Sequence, residues 1–261
     1  MRLYGLIGYP LGHSFSQKYF SEKFTREGIA DACYELFPLK NIADLPALLE
    51  QNPDLRGLNV TIPHKENVLP FLHELDETAR AVGAVNCIKI ENQKLKGFNT
   101  DVIGFEKSLQ TVDGGRWAVH GTRALILGTG GASKAVAYVL KKRGISYKFV
   151  SRHPIGENQI SYTDLSSFLT PHPSLLINTT PLGMAPNVDV CPDLPFERLT
   201  PEHFVYDLIY NPSETLLLRR AKAQGCVVKN GLEMLQLQAE AAWEIWQQSE
   251  APLFLADINR T

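Results

Sequence analysis

The stretch at 123–152, RALILGTGGASKAVAYVLKKRGISYKFVSR, carries the clearest fold signal in the chain. Its apolar run at 124–127 is typical of a buried parallel strand, and a glycine-rich turn follows directly. A helical apolar pattern comes next and stops at Gly144, where a helix-ending glycine belongs. A second strand is predicted over 147–150. The order strand, glycine-rich turn, helix and strand predicts a dinucleotide-binding unit.

The glycine-rich turn has the residue types that phosphate binding requires. Gly128 permits a tight turn, and Gly130 lets the backbone approach a pyrophosphate closely. Backbone N–H groups near Gly131 and Ala132, at the predicted helix start, can hold that anion. Ser133 stands where the usual pattern has its third glycine. A purely structural strand-to-helix turn is the alternative interpretation.

The end of the second strand bears on the choice of nucleotide. An acidic residue about 20 positions after the glycines would bind a ribose 2′-hydroxyl and favour NAD. Ser151 and Arg152 stand there instead, and a guanidinium suits a 2′-phosphate through its charge and paired donors. The pattern therefore favours NADP over NAD. An ordinary solvated arginine is the alternative, and His153 and Lys148 could add charge.

Composition indicates a globular protein of one large or two ordinary domains. The chain has 261 residues, 44% of them hydrophobic, and a net charge of −2, which gives no basic signature for nucleic acid. No apolar run approaches the roughly 20 residues of a membrane helix, and the first residues do not resemble a signal peptide. The cysteines form no C-x-x-C pair, so we expect reduced thiols in a cytoplasmic protein. They are Cys33, Cys87, Cys191 and Cys226.

The first third of the chain also alternates predicted strands and helices, but it has no glycine-rich turn of its own. We therefore expect an α/β fold with two domains around a cleft. The predicted substrate-binding domain comprises residues 1–101 and 238–261. Residues 102–237 form the predicted Rossmann-type dinucleotide-binding domain, with one hinge in the linker near 101–120.

Three elements are predicted from local patterns near the expected cleft and at the end of the chain. A helix is expected to begin at His64 and to continue through Leu72. Asp101 is expected at the end of a strand, before a helix over about 102–110. A closing helix is expected over 252–259, packed back on the first domain.

Polar residues fall at the ends of several predicted apolar elements, where side chains of α/β proteins face a cleft. This inventory suits a small polyhydroxylated ligand, because hydroxyl groups need paired donors and acceptors. Helix capping is the alternative for the two serines. The sequence has no metal-ligand spacing and no G-x-S-x-G motif, so we expect no metal. The residues are Ser14, Ser16, Asn59, Thr61, Lys65, Asn86, Asp101, Tyr210 and Gln238.

Lys65 and Asp101 are the pair that could move a proton. A carbonyl that gains a hydride becomes an alkoxide and needs a proton from a nearby acid. A lysine can supply that proton, and a carboxylate can orient the lysine and a substrate hydroxyl. A surface lysine after a proline turn and an aspartate that caps a helix are the alternatives. Composition does not decide between these interpretations.

Eight short motifs, taken in order, resemble the shikimate dehydrogenase family along nearly the whole chain. They are G-Y-P-L-G-H-S-F-S at 8–16, N-V-T-I-P-H-K at 59–65, G-A-V-N at 83–86, N-T-D at 99–101, G-T-G-G-A-S at 128–133, N-T-T-P-L-G-M at 178–184, Y-N-P at 210–212 and G-L-E-M-L-Q-L-Q-A at 231–239.

The resemblance implies an NADPH-dependent enzyme that reduces 3-dehydroshikimate to shikimate, the fourth step of chorismate and aromatic amino acid biosynthesis. It implies two α/β domains around a deep cleft, with Lys65 and Asp101 as catalytic pair and Lys65 as proton acceptor in the oxidative direction. The implied substrate-binding residues are Ser14, Ser16, Thr61, Asn86, Tyr210 and Gln238. The implied cofactor-binding residues are Gly128, Thr129, Gly130, Gly131, Ala132, Ser151, Arg152, Ile209 and Gly231.

The chain departs from the family pattern beside these residues. Gln17 stands where the family usually has proline, and Val102 where it usually has glycine. The usual N-R-T run is S-R-H at 151–153, and the second basic residue expected within 154–160 is absent. This departure thins the implied clamp around a 2′-phosphate.

Other functions stay open from the sequence. The nearest is a paralogue that oxidises quinate or shikimate with NAD. A non-catalytic nucleotide-responsive binding protein and a folate-type dehydrogenase are the others. The expected partner is a small-molecule substrate, without nucleic acid or membrane, and the expected state is a monomer or a homodimer.

Overall fold

The computed structural model describes residues 1–12, 15–113, 122–169 and 174–248. Within these ranges the strands form two sheets of six, one in each half of the chain. The strands of the first sheet are β1 (Arg2–Gly8), β2 (Ala32–Pro38), β3 (Leu55–Val60), β4 (Glu74–Leu75), β5 (Cys87–Glu91) and β6 (Lys94–Phe98).

The first sheet is mixed, in the order β2-β1-β3-β5-β6-β4. β1 pairs in parallel with β2 and β3, whereas β5 is antiparallel to both β3 and β6. The parallel strands β1 and β3 therefore end at one edge of the sheet, and the returning strand β6 delivers residues 99–101 to that edge. The helices of this half are α1 (Phe15–Glu27), α2 (Leu45–Gln51), α3 (His64–Asn67) and α4 (Glu77–Val82).

The helix that begins at His64 is shorter than the sequence pattern predicts. α3 has a single turn and is followed by a 3₁₀ turn at Leu69–Phe71, so Leu72 lies beyond it. Pro70 explains the stop, because a proline has no backbone N–H to continue an α-helix. The short turn leaves Lys65 close to the end of β3.

The second sheet is parallel throughout, in the order β12-β11-β10-β7-β8-β9. From β7 the chain passes to β8 on one side and then to β10 on the other. This reversal is the topological switch point at which α/β sheets bind ligands. Its strands are β7 (Arg123–Leu127), β8 (Ser146–Val150), β9 (Gln159–Ile160), β10 (Ser174–Asn178), β11 (Phe204–Asp207) and β12 (Val227–Lys229).

The predicted strand, glycine-rich turn, helix and strand are all present in this second half. The buried face of the helix that follows β7 carries Val136, Val139 and Leu140, and Gly144 takes the left-handed conformation after its end. The α/β class with two sheet domains is thus confirmed. The helices of this half are α6 (Gly131–Lys142), α7 (Leu165–Phe168) and α8 (Leu216–Ala223).

Two long helices, α5 (Thr100–Asp113) and α9 (Leu232–Gln247), pack on each other and connect the two halves. Phe105 of α5 lies in the core of the second half, whereas Trp243 and Trp246 of α9 pack on Tyr4 in the first. The two tryptophans therefore belong to the core of the first half. α5 begins earlier than predicted, so Asp101 lies in its first turn rather than at a strand end.

The helices in the described part of the chain include none that combines the length and the apolar composition needed to span a bilayer. All four cysteines are free, and Cys87 and Cys226 are buried. The predicted closing helix over 252–259 lies outside the described residues.

Candidate active site

Lys65 and Asp101 form an ion pair at the edge of the first sheet. Lys65 Nζ lies 2.5 Å from Asp101 Oδ2, and the two side chains are 18% and 8% exposed. Lys65 lies in the single turn of α3, and Asp101 lies in the first turn of α5. The Lys65 carbonyl accepts a hydrogen bond from the Val85 amide at 2.8 Å, which fixes α3 against the strand edge. The structure therefore brings the predicted pair together, and the side chain of Lys65 stays partly exposed.

Asn86 holds the second oxygen of the carboxylate. Its Nδ2 donates to Asp101 Oδ1 at 2.9 Å and to Thr100 Oγ1 at 2.9 Å, while its Oδ1 accepts from the Thr100 amide at 2.6 Å. Both oxygens of Asp101 thus have a donor, so its rotamer is set before any ligand arrives. Thr100 is completely buried and was not singled out as a site residue from the sequence.

Gln238 reaches the same cluster from α9. Its Oε1 lies 3.3 Å from Asn86 Nδ2 and 3.4 Å from Thr100 Oγ1, and its Nε2 donates to the Leu235 carbonyl at 2.9 Å. These bonds to Asn86 and Thr100 are long, so they hold Gln238 only weakly. Gly104 permits the approach, because a Cβ there would lie 2.6 Å from the Met234 carbonyl oxygen.

Three other predicted substrate residues, Ser16, Thr61 and Tyr210, lie in separate segments of the described chain. Ser16, in the first turn of α1, hydrogen-bonds Tyr34. Thr61 follows β3 and is half-buried. The Tyr210 ring lies 5.4 Å from that of Phe15, and burial raises the pKa of its phenol, which the Phe15 backbone hydrogen-bonds. Ser14 lies outside the described residues.

A large cavity of about 1340 Å³ lies between the two sheets. The first half contributes Thr61 and Lys65 to its wall, and the second half contributes the glycine-rich turn at 128–132. Gly128 has a φ of 104°, which favours glycine, and a Cβ on Gly130 would meet nothing within 4 Å. The open backbone at the start of α6 fits a pyrophosphate.

The far end of the cavity is lined by Ser151, Arg152 and His153, after β8. The His153 amide donates to Ser151 Oγ at 3.2 Å, which folds this turn. Lys148 Nζ instead donates to the Glu157 carbonyl at 2.6 Å and is not among the lining residues. Burial raises the pKa of the neighbouring Tyr162, and the nearby Arg152 charge opposes that shift.

Ile209 and Gly231 lie against each other after β11 and before α9, away from the lining of the large cavity. The Gly231 amide donates to the Ile209 carbonyl at 3.0 Å. A Cβ on Gly231 would lie 2.0 Å from the Leu208 carbonyl oxygen, so this position needs a glycine.

Comparison with known proteins supplies the family. Residues 6–88 match the model of the shikimate dehydrogenase substrate binding domain. The NADP(+) shikimate dehydrogenase of Desulforamulus reducens is 37% identical, over 95% of this chain and 91% of its own. The chain belongs to the shikimate dehydrogenase family. Its resemblance to that family is therefore confirmed over nearly the whole length.

Solved structures of family members have the same fold. A shikimate 5-dehydrogenase of Thermus thermophilus, in complex with NADP(H) and shikimate, has a TM-score of 0.81 and 32% identity, covering 95% of this chain and 94% of its own. A ligand-free 5-ketofructose reductase of a Gluconobacter strain has a TM-score of 0.77 and 30% identity, covering 94% and 92%. The same fold is therefore also found in a protein that is named for a different substrate, 5-ketofructose.

Sequence reasoning missed polar contacts that join distant segments of this shikimate dehydrogenase family member. Lys134 Nζ of α6 lies 2.5 Å from Glu66 Oε2 of α3, across the two halves. Asp207 is completely buried, and burial raises the pKa of its carboxyl to about 6. A polar residue at the end of an otherwise apolar strand was the available signal for Asp207. Among the described residues, no three His, Cys, Asp or Glu side chains converge as a metal site.

Proposed function

We propose that the protein catalyses the reversible, NADPH-dependent reduction of 3-dehydroshikimate to shikimate, in chorismate biosynthesis. The observation that carries this proposal is the Lys65–Asp101 pair, 2.5 Å apart, with Lys65 on the wall of a cavity shared with the glycine-rich turn. That arrangement places an acid beside a nucleotide-sized space. The name of the Desulforamulus relative and the shikimate and NADP(H) complex of the Thermus structure support the substrate and cofactor.

The cofactor supplies a hydride when bound, and the chain's residues handle the proton. Lys65 donates a proton to the substrate oxygen as it becomes a hydroxyl, and accepts it in the oxidative direction. Asp101 keeps the ammonium in place through the 2.5 Å contact and accepts from a neighbouring substrate hydroxyl. Asn86 fixes Asp101 in this orientation. The pair therefore acts as a preset donor and acceptor.

The substrate lies over this pair in the proposal. A carboxylate and three oxygen substituents need several donors and acceptors, which the surrounding hydroxyl and amide side chains can supply. Thr61 lines the cavity beside Lys65, and Asn86 is already hydrogen-bonded to Asp101. The proposed substrate-binding residues are Ser14, Ser16, Thr61, Asn86, Tyr210 and Gln238.

The nucleotide fits along the second half of the cavity. The open backbone around Gly130 and the start of α6 would hold the pyrophosphate. Arg152 would contact the 2′-phosphate, 20 or so residues after the turn. The proposed cofactor-binding residues are Gly128, Thr129, Gly130, Gly131, Ala132, Ser151, Arg152, Ile209 and Gly231.

Steady-state turnover tests this proposal directly. The purified protein is assayed with shikimate, with quinate and with fructose, a one-step reduction product of 5-ketofructose. Each compound is tested with NADP and with NAD. We expect the highest kcat/KM for shikimate with NADP. A preference for quinate with NAD would support the paralogue, which the names of the curated relatives do not favour. A preference for fructose would instead indicate an activity like that for which the Gluconobacter reductase is named.

A pair of lysine variants tests the role of Lys65. Lys65→Met removes the proton donor, and we expect kcat to fall by about 10²–10⁴-fold, the range of general acid–base catalysis. Lys94→Met is the control, because this exposed lysine begins β6 at the end opposite residues 99–101. Turnover of shikimate by Lys65→Met at the wild-type rate would contradict the assigned role.

The organisation of the protein is part of the proposal. We propose residues 1–101 and 238–261 as substrate domain and 102–237 as nucleotide domain. Packing of Phe105 with the second core and of Trp246 with the first supports this division. A cytoplasmic location and a monomeric or homodimeric state complete the proposal.

A further inference from the structure

Asp207 is a completely buried carboxylate at the end of β11, and the proposed chemistry gives it no part. Its Oδ1 accepts from Asn178 Nδ2 at 2.9 Å and from the Ile209 amide at 3.1 Å. Its Oδ2 accepts from Thr215 Oγ1 at 2.6 Å. All three donors are uncharged. A buried carboxylate is costly, so its three partners must be held firmly for the fold to tolerate it.

The three donors belong to different segments around the cofactor cavity. Asn178 ends β10, and its Oδ1 accepts from the Thr180 amide at 3.0 Å and Thr180 Oγ1 at 2.7 Å. Thr180 lines the cavity. Thr215 caps α8 through a bond from the Leu218 amide at 3.3 Å. Asp207 is thus the common acceptor for the loops that leave two neighbouring strands.

The third donor, the Ile209 amide, lies in the middle of the segment 208–210. On its other side this segment contacts the start of α9, where Gly231 leaves no space for a side chain beside Leu208. Beyond it, the Tyr210 ring reaches Phe15 in the first half, 5.4 Å away. The segment is therefore fixed at one end by Asp207 and contacts the proposed substrate site at the other.

We propose that Asp207 is a positioning residue, which holds the proposed cofactor-binding residue Ile209 next to the proposed substrate-binding residue Tyr210, at the end of the cofactor that carries nicotinamide. The inference rests on the proposed function for its kinetic consequence. Asp207 itself touches no ligand, because it is completely buried. Arg152 and the glycine-rich turn follow other strands, β8 and β7, and neither of them supplies a donor to Asp207.

Hydrogen exchange of the ligand-free protein is the first test. Asp207→Asn keeps the side-chain size and removes the charge that draws the Ile209 amide and the Thr215 hydroxyl. We expect exchange in peptides covering 208–215 to accelerate by about tenfold, the equivalent of one net hydrogen bond. Peptides covering 131–142 should exchange as in the wild type. Val205→Ala is the control, because it shortens a buried side chain of the same strand and removes none of the hydrogen bonds to Asp207.

Ligand binding and kinetics are the second test. Asp207→Asn should lower kcat by about tenfold or more while leaving the affinity for 2′-phospho-ADP-ribose, which lacks nicotinamide, within about twofold. Val205→Ala should lower thermal stability and change neither value. Wild-type kcat in Asp207→Asn, or an equal loss of affinity for NADPH and 2′-phospho-ADP-ribose, would overturn the inference.

A second pair of variants covers the case in which Asp207→Asn does not fold. Thr215→Val removes one donor, and Thr215→Ser retains it. We expect Thr215→Val to speed hydrogen exchange in 208–215 and to lower kcat. Thr215→Ser should keep the wild-type exchange rate and the wild-type kcat. Equal behaviour of the two variants would overturn the inference. Because the exchange experiment needs no substrate, a wild type inactive on shikimate would refute the proposed function while the exchange result still decides the role of Asp207.

Discussion

Replacing Gly104 by alanine should weaken substrate binding by moving α9 away from α5. An added Cβ would lie 2.6 Å from the Met234 carbonyl oxygen, 3.0 Å from Gln238 Cβ and 3.2 Å from the Gln238 amide nitrogen. Real Cβ atoms essentially never approach another heavy atom closer than 3.0 Å. The two helices must therefore separate by about 0.4 Å or more, since both contacts with Met234 and Gln238 are to backbone or rigid atoms.

The effect on stability has two opposing parts. Overpacking in a well-packed interior costs about 1–3 kcal/mol, whereas glycine to alanine within a helix gains up to about 1 kcal/mol. The net destabilisation is thus about 0–3 kcal/mol, and a protein of this size loses roughly 2–4 °C of Tm per kcal/mol. Thermal unfolding followed by circular dichroism measures this part.

The effect on binding comes through Gln238. Its bonds to Asn86 and Thr100 are already 3.3 and 3.4 Å long, so a shift of a few tenths of an ångström breaks them. Losing one hydrogen bond to the substrate costs about 0.5–1.5 kcal/mol, so we expect KM for shikimate to rise about 2–10-fold. KM for NADP should stay unchanged, because the atoms that an added Cβ on Gly104 would meet belong to Met234 and Gln238 and not to the glycine-rich turn.

Steady-state kinetics with shikimate and NADP varied in turn provide the assay. Lys107→Ala is the matched control, an exposed position on the same helix, and it should change stability by less than about 0.5 kcal/mol. The reasoning would be refuted by a Gly104→Ala protein with the wild-type KM for shikimate. It would also be refuted by an equal rise in both KM values.

Two further predictions concern charge. Arg152→Gln should lower kcat/KM with NADP by about 10–100-fold, since bonds to charged groups are worth about 1.5–3 kcal/mol, and leave kcat/KM with NAD unchanged; equal losses with both cofactors would contradict it. The pKa of Asp207, raised to about 6, means that the folded state binds a proton more tightly than the unfolded state. Wild-type stability should therefore fall relative to Asp207→Asn as pH rises from about 4 through 6, and parallel Tm curves would count against this.

Local patterns were sufficient to predict much of the fold. The apolar run at 124–127, the glycine-rich turn and the Gly144 stop all act over a few residues, so the sequence shows them directly. The stop at Pro70 was equally visible, and the predicted helix through Leu72 should have ended before it. The strands β4 and β9 have two residues each, too few for a period to be read.

The site depends more on tertiary packing than on any local pattern. Gln238 belongs beside Asn86 only because α9 crosses α5 at Gly104, and neither helix pattern contains that crossing. Likewise Thr100 belongs to a predicted strand end in the sequence, and only the fold places it between Asn86 and Gln238. The family resemblance predicts that these motifs are functional. It does not show which backbone contacts bring them together.

The contact between Gly131 and Lys65 joins the two halves of the proposed reaction. A Cβ on Gly131 would lie 3.1 Å from Lys65 Cβ and 3.5 Å from Ala84 Cβ, so the start of α6 lies close against the side chain of Lys65, the proposed proton donor. The same residue opens the helix whose free N–H groups would hold the pyrophosphate. One glycine therefore sets the separation between the nucleotide-binding turn and Lys65. In the proposed enzyme, the folded chain therefore fixes the distance between the cofactor site and the proton donor before any ligand binds. Electrostatic preorganisation requires such a fixed arrangement.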